Sequence, residues 1–257
     1  MASSAQESSA NPHNIELKPI LAMWSGPRNL STAMMRAWEN RPDTEVWDEP
    51  FYAAYLQRTG LDHPMGAEII AHHEADVDKV IELCTTPAAS GFFYQKHMTH
   101  HMLPEYPLDW LAELSHCFLL RDPREVLLSY SQKREDVTLD DIGVPQQLRL
   151  YEWVLANLEQ KPLVIDARDF LQQPQAYLEA LCAHVGIPFY PEMLSWPAGR
   201  RDSDGVWSEH WYDSVWKSTG FGTWQARTGE LDAALLPIYR EADEIYQAMR
   251  EQRLRID

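Results

Sequence analysis

Basic residues are in short supply in this chain of 257 residues: 22 lysines and arginines stand against 39 aspartates and glutamates, a formal net charge of −17. A deficit of that size argues against general binding to nucleic acid or to an anionic membrane, where a basic face is needed. Cysteine is scarce too. Cys84, Cys117 and Cys182 are far apart, odd in number and set among apolar residues; they read as reduced, mostly buried thiols of a cytoplasmic protein. The opening residues MASSAQESSANP lack the basic and apolar regions of a signal peptide, so residues 1–17 read as a disordered tail. No run approaches the roughly 18 apolar residues of a membrane span, and no internal repeat is present. What is there is ordinary for a globular chain, 45% hydrophobic and 24% charged, and the length suits one large domain, over residues 18–257, or a domain with a small subdomain.

The segment Leu21-Ala22-Met23-Trp24-Ser25-Gly26-Pro27-Arg28-Asn29-Leu30-Ser31-Thr32 carries the most information. An apolar run gives way to a small-residue turn with one cation and two hydroxyls, and a helical pattern follows directly. A strand, a tight loop and a helix N-terminus make an anion site, because backbone N–H groups converge where the helix dipole favours negative charge. The loop is close to a P-loop but lacks the Lys-Ser/Thr ending: Leu30 holds the lysine's place and Arg28 sits mid-loop. A phosphorylated ligand is expected, an ordinary ATPase is not. The alternative is a bare strand-turn-helix corner with Ser31 as its N-cap.

Apolar runs at Pro19–Trp24, Thr44–Trp47, Gly91–Lys96, His116–Leu120 and Pro162–Asp166 predict strands. Helices are predicted at about Ser31–Asn40, Asp76–Cys84, around Trp110–Leu114, Pro123–Lys133, Gln146–Leu158, Pro174–Val185 and Leu231–Arg250. Pro50 discourages a helix straight after Asp48-Glu49. The alternation predicts a mainly parallel central sheet flanked by helices on both faces, in three layers. Between Pro188 and Gly229 the rhythm stops, and Trp196, Trp207, Trp211, Trp216 and Trp224 crowd a stretch too long for a passive connector. It reads as a lid or acceptor loop, with core packing the default role for most of the indoles.

Ligands of such sheets bind at the carboxyl ends of the strands. Those ends deliver Gly26 to Thr32, then Asp48 and Glu49, then Lys96, His97, His100 and His101, then Arg121, Asp122 and Arg124. Arg121 ends its strand and Ser129 lies about two turns into the next helix, where both reach one phosphate. The alternative pairs Arg121 with Asp122 or Glu125 and leaves Ser129 solvated.

Pro27-Arg28-x-x-Ser31-Thr32 resembles the 5′-phosphosulfate loop of sulfotransferases that use 3′-phosphoadenosine 5′-phosphosulfate (PAPS). Arg121 and Ser129, eight apart in RDPREVLLS, are similar to that family's 3′-phosphate motif. Val164 to Phe170, with Val185-Gly186-Ile187-Pro188 after a helix, is similar to the family's late strand and leader helix. Trp216-Lys217-Ser218-Thr219-Gly220 stands where the family closes over its nucleotide, with a degraded signature. The resemblance implies a P-loop-like sulfotransferase fold with PAPS as co-substrate, no metal, and a small-molecule acceptor. It also implies nucleotide contacts from Gly26, Pro27, Arg28, Asn29, Ser31, Thr32, Arg121, Ser129 and Lys217. A homodimer is left open.

In-line sulfuryl transfer needs charge neutralised at the leaving phosphate and a proton taken from the acceptor. Arg28 and Lys96 suit the first task, and Glu49, His100 or His97 the second. Glu49 resembles the glutamate base of several branches of the family. Burial would raise it while neighbouring cations pull it down; a salt bridge to Arg28 or a turn-capping role is its alternative. His97 follows Lys96 directly and on an extended strand points to the opposite face, which leaves His100 on the loop beyond. The competing functions are a P-loop kinase or other phosphotransferase, using Asp48 or Asp122 for Mg²⁺, and a nucleotide-binding protein without turnover. A metal at His97-x-x-His100-His101 lacks companion ligands at metal spacing.

Overall fold

The computed structural model describes residues 19–130 and 137–256. The expected tail, and the end of the predicted helix at Lys133, lie outside these. Five strands form one sheet: β1 (Ile20–Ser25), β2 (Thr44–Asp48), β3 (Phe92–Met98), β4 (Ser115–Leu120) and β5 (Leu163–Asp166), in the order β2-β3-β1-β4-β5. Every pairing is parallel. The five predicted strands are these five, shifted at their ends by a residue or two.

Side chains on a strand alternate between faces, and β1 shows what that builds. Leu21 and Met23 join Met34 and Trp38 of α1 (Ser31–Glu39) in one core; Ala22 and Trp24 join Phe118 and Leu150 in the other. Fully burying Leu21 or Met23 contributes about 1.5–3 kcal/mol each. Both faces are therefore apolar and both are covered, which is the three-layer α/β fold expected. The first face carries α1 and α8 (Pro174–His184), and the second carries α4 (Val77–Thr85), α6 (Val144–Asn157) and α11 (Leu236–Glu251). The remaining helices are α2 (Tyr52–Thr59), α3 (Gly66–His72), α5 (Pro123–Tyr130), α7 (Ala167–Gln172), α9 (Ser208–Trp211) and α10 (Asp213–Trp216).

Three local outcomes differ from the sequence pattern. Pro50 does not delay a helix far, since α2 opens two residues later. The predicted helix around Trp110–Leu114 is a single 3₁₀ stretch, Asp109–Glu113. The tryptophan-rich stretch carries the short helices α9 and α10 and is fastened to the end of α1. Arg36 pairs with Asp204, Asn40 donates to the carbonyls of Glu192 and Ser195, and Arg41 donates to that of Pro188 at 2.7 Å. Trp196 and Trp207 are buried, as expected for packing residues.

The chain runs from β1 out to β2, returns through β3, and jumps over β1 to β4. Loops after β1, β3 and β4 thus diverge at the carboxyl end of the sheet, where a crevice opens.

Candidate active site

Two cavities meet in that crevice. One, of 310 Å³, is bordered by Pro27 to Ala33, Glu49, Lys96, His100, Arg121 and Ser129, together with part of the tryptophan-rich stretch. The other, of 490 Å³, lies towards β5 and α11 and shares Leu30, Arg121 and Arg227 with the first.

The loop after β1 is shaped by three features. A Cβ on Gly26 would run into the carbonyl oxygen of Ile142, so the turn packs directly on backbone there. Gly26 itself does not border the cleft. Arg28 has φ of 58°, left-handed for a residue with a side chain, a conformation that costs on the order of 1 kcal/mol or more and clusters at functional sites. The Asn29 amide donates to the Leu119 carbonyl at 2.9 Å, and its oxygen accepts from the Leu30 N–H. Asn29 therefore ties the loop to β4. Leu30 is the N-cap of α1 and no described side chain caps it, so the reading of Ser31 as N-cap gives way: Ser31 is the first helical residue and is buried, Thr32 is half-buried, and both border the cleft.

Positive charge gathers at this loop. Arg28 Nε donates to Ser129 Oγ at 2.9 Å, and Arg121 Nη1 donates to the Arg28 carbonyl at 2.8 Å. Burial lowers the Arg28 pKa, and repulsion from Arg227 and Arg121 lowers it further. Arg121 also pairs with Glu125 at 3.0 Å, so the alternative partner from the sequence and the placement beside Arg28 and Ser129 hold together. Three guanidiniums and three hydroxyls converge in a chain of net charge −17, a donor set suited to phosphate oxygens.

Arg227 went unnoticed in the sequence because it lies in the irregular stretch, two residues before Gly229. Lys217, expected here, stands exposed after α10 and borders neither cavity. The reason is local: Trp216 Nε1 bonds Asp204 and Ser218 Oγ accepts from Trp196 Nε1, so its two neighbours face inward and Lys217 is left outside. Trp224 instead reaches the larger cavity, with the Arg168 guanidinium 4.6 Å above its ring.

The carboxylates form a second group. Lys96 Nζ donates to Asp48 Oδ1 at 2.8 Å, to Glu49 Oε1 at 2.5 Å and to Tyr212 Oη at 2.7 Å. Glu49 sits in the left-handed turn after β2, at φ 46°, and its N–H bonds the Lys96 carbonyl. Its ion pair is with Lys96, and not with Arg28 as the sequence alternative had it. Burial pushes the Glu49 carboxyl up to about 7; Lys96 opposes the rise and Asp48 adds to it. Burial acts to lower the Lys96 ammonium, but Asp48 and Glu49 outweigh it and hold the pKa well above the usual lysine value.

Lys96 and Met98 border the cleft while His97 points away, as strand alternation requires. His97 stacks on Trp24 with ring centroids 4.3 Å apart and bonds Gln95 through Nε2 at 3.0 Å. Burial, with His116 adding, drops its pKa to about 3. His100 and His101 do border the cleft; His101 stacks on Tyr52 and Tyr55, and burial drives its pKa well below the usual imidazole range.

The chain matches the model of the sulfotransferase domain over residues 19–253. It is 35% identical over 205 residues to the branched-chain-amino-acid aminotransferase-like proteins 2 and 1 of Arabidopsis thaliana, a span of 79% of this chain but 36% and 37% of theirs. The chain thus spans about a third of the length of these curated relatives. Among solved structures it is similar to the sulfotransferase domain from the curacin biosynthetic pathway, with a TM-score of 0.56 at 18% identity, covering 87% of this chain and 97% of that one. It is also similar to a sulfotransferase from Alicyclobacillus acidocaldarius, with a TM-score of 0.50 at 12% identity, covering 91% and 96%. The parallel five-stranded sheet, the loop after its central strand and the family model agree: the chain belongs to the sulfotransferase domain family.

Proposed function

We propose that this chain moves a sulfuryl group from PAPS to a small hydroxyl or amine acceptor, with Glu49 as general base. The observation that carries the reading is the position of Glu49: a largely buried carboxyl at about 7, on the same 310 Å³ cleft as Arg28, Ser31 and Thr32. A base poised near neutral pH contributes about 10²–10⁴-fold to proton removal. PAPS, when bound, supplies a sulfuryl group on a phosphate that leaves as an anion.

The residues fit such a ligand, because the cleft offers guanidiniums, hydroxyls and an uncapped helix N-terminus to phosphate oxygens. Arg28, with Ser31 and Thr32, would hold the phosphosulfate end and lower the cost of charge developing there. Arg121 and Ser129 would hold the 3′-phosphate, and Arg227 borders both cavities to serve either end. Glu49 takes the acceptor proton, and Lys96 steadies the carboxylate before that transfer. His100, on the same cleft, stands as the second candidate for the base.

A phosphotransferase reading fits less well. Both oxygens of Asp48 are engaged, by Lys96 and by Tyr212, and Leu30 holds the place of the P-loop lysine. The test is a calorimetric titration with adenosine 3′,5′-bisphosphate without Mg²⁺, beside ATP with Mg²⁺, followed by a screen of hydroxyl and amine acceptors with labelled PAPS. Preference for the bisphosphate and transfer to an acceptor is the expected result. Preference for Mg²⁺-ATP overturns the reading, and tight bisphosphate binding with no transfer makes the chain a non-catalytic nucleotide binder. Glu49→Gln should keep bisphosphate affinity and lose about 10²–10⁴-fold in turnover; full turnover removes Glu49 as base.

A further inference from the structure

Asp48 and Tyr212 take no part in the chemistry above, yet both are buried against it. Asp48 Oδ1 accepts from Lys96 at 2.8 Å and Oδ2 accepts from Tyr212 Oη at 2.6 Å. Tyr212 Oη accepts in turn from Lys96 at 2.7 Å and from Trp207 Nε1 at 3.3 Å, and its ring lies 5.2 Å from the lysine nitrogen. Among the described residues Glu49 has a single charged partner, Lys96, which it shares.

Burial makes it costly to keep both carboxylates ionised around one ammonium, so one of them takes a proton more readily than an exposed carboxyl would. Which one is decided by the hydrogen bonds that each makes as an anion. Asp48 has two strong donors and Glu49 has one. We propose that Asp48 and Tyr212 are positioning residues: they anchor Lys96 and keep Asp48 ionised, so that Glu49 is the carboxyl that gains and loses the catalytic proton. This rests on the reading of Glu49 as base.

Other groups border the same cleft as Glu49: Tyr52 from α2, His63 from the following loop, His100 and His101 after β3, and Arg28, Arg121 and Arg227. They are the same in the variants compared below, so their influence cancels. Tyr212 lies at the junction of α9 and α10, in the stretch that Asp204 fastens to Arg36 of α1. The proton affinity of Glu49 therefore depends on how that stretch is seated.

The test is a pH titration of the full-length chain labelled with ¹³C at the glutamate side-chain carboxyls, read by NMR, with the Glu49 signal assigned by its loss in E49Q. Tyr212→Phe keeps the ring but takes a donor from Asp48, which then competes with Glu49 for the proton, so the Glu49 midpoint should fall by about one pH unit, a tenfold change in the protonated-to-ionised ratio. Asp48→Asn removes the negative charge outright and leaves Lys96 to Glu49, so the midpoint should fall by at least as much. Bisphosphate affinity reports that each variant is folded, and if Asp48→Asn does not fold, the fall in Tyr212→Phe decides alone. A fall in both variants supports the proposal. An unmoved or raised midpoint in folded Tyr212→Phe overturns it. The two readings fail separately: an active E49Q removes the base, whereas an inactive E49Q with unmoved midpoints removes only Asp48 and Tyr212 as positioning residues.

Discussion

Lys96 and His97 are neighbours on β3, and each is about 1% exposed. One is held charged by Asp48 and Glu49; the other is held neutral between Trp24 and Gln95. Burial disfavours the charged form at both positions. What separates them is the face on which each lands, since β2 ends in two carboxylates on one side while Trp24, Phe51 and Trp110 pack the other. A strand thus delivers a catalytic-looking residue and a packing residue in consecutive positions, and composition alone does not tell them apart.

The sharpest way to break this contrast is to exchange each for an apolar residue. Lys96→Met should cost about 3–5 kcal/mol in denaturant unfolding, because it strands two buried carboxylates, and should abolish transfer. His97→Leu should keep bisphosphate affinity and turnover within about twofold, at a stability change of under roughly 1.5 kcal/mol. A His97→Leu protein that folds but fails to turn over would put His97 back in the site.

Next in size is the nucleotide end of the cleft. Arg121→Ala should weaken adenosine 3′,5′-bisphosphate by about tenfold to a hundredfold, as expected for lost charged hydrogen bonds at about 1.5–3 kcal/mol. Arg227→Ala should act in the same direction. Lys217→Ala should leave the affinity unchanged, and calorimetry on the three variants separates these outcomes.

The contrast that tests the two faces most directly is the pH dependence of stability. His97 has a folded pKa of about 3 against 6.5 in the open chain. The unfolded state binds the extra proton in that window, so the His97 contribution is lost as pH falls from 6.5 towards 3. Glu49 has a folded pKa of about 7 against 4.5. Here the folded state binds the extra proton, so its contribution is lost as pH rises from 4.5 towards 7. Unfolding curves across pH should therefore show wild type losing ground to His97→Leu on acidification and to Glu49→Gln on alkalisation. The same sign for both would break the comparison.

The strands were legible because a doubly covered sheet demands continuous apolar runs, as in Leu21 to Trp24 and Cys117 to Leu120. Reading the ends of those runs then found Arg28, Glu49, Lys96 and Arg121. Helix α2 escaped for the opposite reason: Tyr52, Ala53, Ala54, Tyr55 and Leu56 are all buried, so no polar face marks a helical period. Tyr212 and Arg227 escaped because they come from the stretch between Pro188 and Gly229. Its fastening by Arg36, Asn40 and Arg41 is tertiary and leaves no periodic trace in the sequence. Lys217 looked suitable by position alone, and the indole anchors on either side turned it outward.

The left-handed backbone at Arg28 and Glu49 has a consequence for how this protein can change. Both positions would be more comfortable as glycine or asparagine, and both carry side chains that the proposed chemistry needs. Selection for thermal stability alone should find these two codons early, trading turnover for a relaxed backbone. Selection that also demands turnover should hold them and gather its gains elsewhere. The identity of residues 28 and 49 among descendants of this chain would then record whether their lineage was kept for catalysis or only for shape.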